Sequence, residues 1–66
     1  MNNKNKVWHA LRFEIITTLE NQGVGVLSAI QIWNEKYRPL VVASLEIDGD
    51  YSITIGDKLI EWSVQK

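Results

Sequence analysis

The chain has 66 residues, enough for one domain and too few for two. With 45 % apolar and 23 % charged residues it is not a disordered polar tail. Seven Lys plus Arg against eight Asp plus Glu leave a formal net charge of −1. That balance argues against strongly basic nucleic-acid coats and strongly acidic mimics of nucleic acid, and zero Cys excludes disulfides, thiolate metal sites and Cys nucleophiles.

Residues 1–66 read as a single small globular domain, with the polar start at 1–5 expected to fray. Val7 to Gln22 reads as a helix. Trp8, Leu11, Ile15 and Leu19 form one stripe, Ile16 widens it, and Gly23 suits a left-handed C-cap. Leu11, Phe13, Ile15, Thr17 and Leu19 also alternate with period two, but the long stripe and the clean Gly stop favour the helix.

Val24 to Trp33 admits two readings. Its β-branched residues, and Val24, Val26, Ser28, Ile30 and Ile32 on one face, favour a strand. The alternative is a helix from Ser28 with Ser28-Ala29-Ile30-Gln31 as capping box, a shared face of Val26, Ile30, Trp33 and Tyr37, and a stop at Pro39. Leu40 to Ile47, Tyr51 to Ile55 and Leu59 to Val64 read as three further strands, separated by Asp48-Gly49-Asp50 and Gly56-Asp57.

Phase supports the strand reading. The Asp48–Asp50 loop opposes Ile47 with Tyr51, Leu45 with Ile53 and Ala43 with Ile55; the Gly56-Asp57 turn opposes Ile53 with Ile60 and Tyr51 with Trp62. A hairpin around Asn34 to Pro39 opposes Ile32 with Val41, Ile30 with Ala43 and Val26 with Ile47. Every one of those points inward, while Ser44, Glu46, Ser52, Thr54, Glu61 and Ser63 point outward. The expected fold is therefore α+β: one N-terminal helix packed on a four-stranded antiparallel meander. The alternative is two helices followed by a three-stranded antiparallel sheet.

No constellation carries catalysis, and no catalytic residue, metal site or cofactor is expected. His9 is the lone imidazole and has no carboxylate at helical spacing four residues away. Asp48-x-Asp50-x-Ser52-x-Thr54 resembles the first half of a calcium loop but has Ile53 at position six and Leu59 at position twelve, where Gly and Glu are needed. Gly23-Val24-Gly25-Val26 is neither a dinucleotide fingerprint nor a phosphate loop. The serines lack a paired base.

What remains is apolar surface. Phe13 lies off the helix stripe, and Trp33, Leu40, Val42 and Leu59 fall on the otherwise polar sheet face, with Tyr37 in the adjoining loop. Contiguous apolar patches rimmed by polar groups mark interfaces. The expected function is a small non-enzymatic protein–protein interaction module or regulator, acting through this patch or a strand edge, and self-associating as a homodimer or holding a larger protein. The alternative is a nucleic-acid-binding protein in which a helix pair and β-hairpin present Lys4, Lys6, Arg12, Gln31, Asn34, Lys36 and Arg38. No apolar run approaches a membrane span and Met1–Lys6 lacks a secretory apolar segment, so a cytoplasmic location is expected. Frequent Asn, Lys and Ile, with five Lys to two Arg, is a usage common in AT-rich genomes such as those of bacteria and their phages.

Overall fold

The structure, a computed structural model, describes residues 3–65. It is α+β: a pair of antiparallel helical arms packed against a two-stranded antiparallel sheet. Helix α1 runs Asn3–Asn21. Of the start expected to fray, Asn3–Asn5 lie in the first turn of α1, and Met1 and Asn2 lie outside the described residues. The expected stripe is the buried one: Leu11, Ile15, Ile16 and Leu19 are core, with Trp8 partly buried against them. The helix ends in a Schellman motif, because the amide of Gly23 donates to the carbonyl of Glu20 and that of Val24 to Leu19. Gly23 takes φ +94°, which an L side chain resists, and Val24 packs back on the core.

The chain then reverses through Gly25 into a second helical arm, where the strand reading fails. Val26–Ile32 is helix α2, Trp33–Tyr37 is a π-helical turn and Arg38–Ser44 is helix α3, so 26–44 is helical without a break. Neither the strand at Val24 to Trp33 nor the strand at Leu40 to Ile47 exists, and with them go the hairpin at Asn34 to Pro39 and the pairing of Ile47 with Tyr51. The alternative of two helices and a sheet is the nearer one, although the sheet has two strands rather than three and the helix begins at Val26 rather than Ser28.

The reason is the buried set. Ala29, Trp33, Tyr37, Val41 and Leu45 are core residues four apart. At about 100° per residue, each step of four advances a stripe by about 40°, so four steps would swing it by about 160° off the core. One extra residue in a widened turn takes back about 100° of that drift. The π turn lies in the middle of the run, with the Arg38 amide donating to the carbonyl of Trp33, five residues back. Pro39 favours the same turn. It has no amide to donate, and its ring would strike the carbonyl of Glu35 in a regular helix. Trp33, Val41 and Ile15 are among the largest fully buried side chains, so the π turn sits at the centre of the core.

Two-residue turn chemistry builds the sheet as expected. Strands β1 (Gly49–Ile55) and β2 (Lys58–Val64) pair antiparallel with Tyr51 opposite Trp62 and Ile53 opposite Ile60. Gly56, at φ +64°, occupies the first turn position. No other residue type takes a positive φ among the described residues, which identifies a type II′ turn. The apolar face meets the helices unevenly. Ile55 of β1 and Ile60 and Val64 of β2 are buried, whereas Tyr51 and Ile53 of β1 and Trp62 of β2 are half-buried. Helical cover is therefore deepest at Ile55 and Ile60 near the turn and at Val64, and thinner over Tyr51, Ile53 and Trp62 between them.

The helical arms are tied at their free ends by a Lys4–Glu46 ion pair of 2.9 Å across the start of α1 and the segment after α3. The sheet is tied to α3 by Trp62, whose Nε1 donates to the Ser44 hydroxyl at 2.9 Å. That hydroxyl donates in turn to the carbonyl of Val41 at 2.8 Å. Among the described residues no buried side-chain polar atom lacks a partner, as a packed interior requires.

Candidate interaction surface

Where α3 ends beside the thinly covered part of the hairpin, a groove of about 360 Å³ opens. Leu40, Ala43 and Ser44 form its helical wall, Ile47 its end, and Tyr51, Ser52, Ile53 and Trp62 its sheet wall. Leu40 is 53 % exposed and Ile47 67 % exposed. Three consecutive β1 residues line the groove although their side chains alternate between faces. The groove is therefore bordered by main-chain atoms of β1 as well as by its side chains.

The aromatic part of this wall is held in place. Tyr51 and Trp62 stack with ring centroids 5.8 Å apart and planes 22° apart. The Tyr51 hydroxyl donates to the carbonyl of Ile47, and the Trp62 indole is fixed to Ser44. Both rings thus have their polar ends occupied and their apolar bodies half-exposed. Anchored aromatics lose little rotamer entropy when something docks on them, so they suit binding.

The residues expected to form the patch are not gathered in one place. Trp33 is 1 % exposed and Tyr37 is buried beside it, so both belong to the core and neither can touch a partner. The strand reading turns Trp33 outward and leaves Tyr37 in a loop; the helical stripe turns both in, and Trp33 meets Trp8 edge-on at 5.7 Å. Leu40 lies in the groove. Val42 lies in a separate recess with Trp8, His9 and Glu46. Leu59 stands opposite Thr54 on the polar face of the sheet. Phe13, 72 % exposed, borders a third recess between α1 and Lys58.

The polar and basic residues of the nucleic-acid alternative are interleaved with carboxylates. Lys4 is paired with Glu46. Gln31 donates to Glu35 at 3.0 Å, which sets a carboxylate one helical turn along from Gln31 and beside Asn34 and Arg38. Lys36 reaches over the Tyr37 ring at 5.3 Å. Lys6 is exposed and Arg12 half-buried on α1.

His9 packs against the edge of Trp8, with ring centroids 4.8 Å apart. Asp50 accepts a hydrogen bond from Ser63 across the hairpin at 2.7 Å. Among the described residues no three His, Asp or Glu side chains converge on one point, and no helix is long and apolar enough to cross a membrane.

The strand reading turns Ile47, Tyr51, Ile53 and Trp62 inward, whereas the structure exposes Ile47 and leaves the other three only partly buried against the core. That reading places them on a face covered from end to end, because Leu40 to Ile47 counts as a third strand. The available signal was Val41, Ser44 and Leu45, whose spacing of three and one is helical. Comparison with protein-family models, curated proteins and solved structures finds no match to the chain.

Proposed function

We propose that the chain is a non-enzymatic protein-interaction module, and that its working surface is the groove formed by Leu40, Ile47, Tyr51, Ile53 and Trp62. The occupant is an extended apolar segment lying along β1. Backbone pairing with the strand edge supplies affinity, and alternate side chains entering the groove supply selectivity. The observation that carries this reading is the stacked Tyr51–Trp62 pair, anchored at both polar ends and half-exposed beside Leu40 and Ile47. Tyr and Trp in a preformed apolar depression are the residues that concentrate binding energy.

The nucleic-acid reading draws on the helix pair and hairpin, but Glu35 and Glu46 stand among its basic residues and would repel phosphates. Selection of displayed peptides against the wild-type chain and Ile47→Asp tests the module. The expected outcome is enrichment of peptides with alternating apolar residues that bind the wild type and lose at least about ten-fold in affinity for Ile47→Asp. Peptides that bind both chains equally would place the surface elsewhere, and salt-sensitive retention of an oligonucleotide pool would favour the alternative.

A further inference from the structure

The free edge of β1 is suited to pairing with itself. Ile55 and Lys58 flank the two-residue turn and so form its closing hydrogen-bonded pair. Alternation then directs the amides and carbonyls of Ile53, Tyr51 and Gly49 toward β2, and those of Asp50, Ser52 and Thr54 outward. Among the described residues β1 has no strand partner other than β2.

Exposed edges are ordinarily protected by Lys, Pro or bulges. The Gly49–Ile55 sequence GDYSITI has none of these, and its one charge is Asp50, near the strand start. By contrast β2, KLIEWSV, carries Lys58 and Glu61. Three residues of the unprotected strand, Tyr51, Ser52 and Ile53, also line the apolar groove.

We propose that the occupant of the groove edge is a second copy of this chain, with the two β1 strands antiparallel and Ser52 opposite Ser52 about a two-fold axis. This rests on the groove reading and names its partner. The register uses the whole strand, since Gly49 then meets Ile55 of the second copy and Asp50 meets Thr54 of the second copy. No like charges stand opposite each other, and the outward groups form about six main-chain hydrogen bonds. Tyr51 meets Ile53 of the second copy on the apolar face, so the two grooves join into one apolar floor beneath a four-stranded sheet. A shift of one residue would turn one copy's apolar face to solvent. At a net charge of −1 the two copies repel each other weakly.

Light scattering behind a sizing column, across protein concentration, tests this with the intact chain and two variants. The wild type should pass from 7.6 kDa to about 15 kDa as concentration rises. Ser52→Pro removes an amide that points away from β2, so it should stay folded by circular dichroism and remain a monomer. Ser52→Lys keeps the backbone intact but sets two ammonium groups opposite each other. It should raise the dimer dissociation constant about five-fold or more at low salt, with partial recovery in high salt. A wild type that stays monomeric, or a dimer indifferent to both variants, overturns the self-pairing. If such a monomer still takes the selected peptides in an Ile47-dependent way, the groove reading stands without it.

Discussion

Residues 26–44 and 49–64 look alike as sequence and differ as structure. Both are rich in β-branched residues and both can be laid out with alternating apolar positions. One is a helical arm and the other a hairpin. The difference lies in which positions must be buried together. In the hairpin the inward residues are two apart and the turn is specified locally by Gly56. In the arm Ala29, Trp33, Tyr37, Val41 and Leu45 are four apart, and only a helix with one widened turn brings all five to the same side. Local β-propensity yields to that packing demand.

The sharpest way to break the comparison is to change the length of the arm and not its composition. Inserting one Ala after Asn34, an exposed residue of the π turn, adds a residue that the already widened turn cannot take up, and should rotate Tyr37, Val41 and Leu45 by about 100° away from Ile15 and Leu19. Losing three buried side chains exceeds about 5 kcal/mol, more than a chain of this size can spare, so thermal unfolding should show no cooperative transition. Asn34→Ala, which leaves the count intact, should stay within about 0.5 kcal/mol of the wild type. An insertion variant as stable as the wild type would mean that the four-residue spacing does not hold the arm in phase.

A smaller effect is expected where the two regions join. Ser44→Ala removes both the acceptor of the Trp62 indole and the donor to Val41. The cost should be about 1–2 kcal/mol in chemical denaturation, with a change in the near-ultraviolet signal of Trp62 as its ring is released. An unchanged near-ultraviolet spectrum would show that the Tyr51–Trp62 stack is held by packing and not by that bond.

These two regions also mark where the sequence could be read and where it could not. The stripe of α1, its Gly23 terminus and the β1–β2 register follow from short-range rules, because each rests on neighbours within a few residues. The arm does not. Its strand-like runs at Val24 to Trp33 and Leu40 to Ile47 are in phase with the hairpin by coincidence of parity, and Pro39 reads as a stop rather than as the first turn of α3 just after a π turn. That error propagated to the site. With a third strand in place, Trp33 counts as surface and Tyr37 as loop, whereas the structure buries both and leaves Tyr51 and Trp62 half-buried at the margin of the core. Leu40 alone among the expected patch residues lines the groove.

The central claim is that the free edge of β1 is the working surface and that a second copy closes it. Amide hydrogen exchange along β1 at two protein concentrations tests it residue by residue. Tyr51, Ile53 and Ile55 should be protected at both concentrations, since their amides face β2. Asp50, Ser52 and Thr54 should be protected at high concentration and exchange freely on dilution. Free exchange at Asp50, Ser52 and Thr54 at both concentrations would contradict the account and leave β1 an open edge.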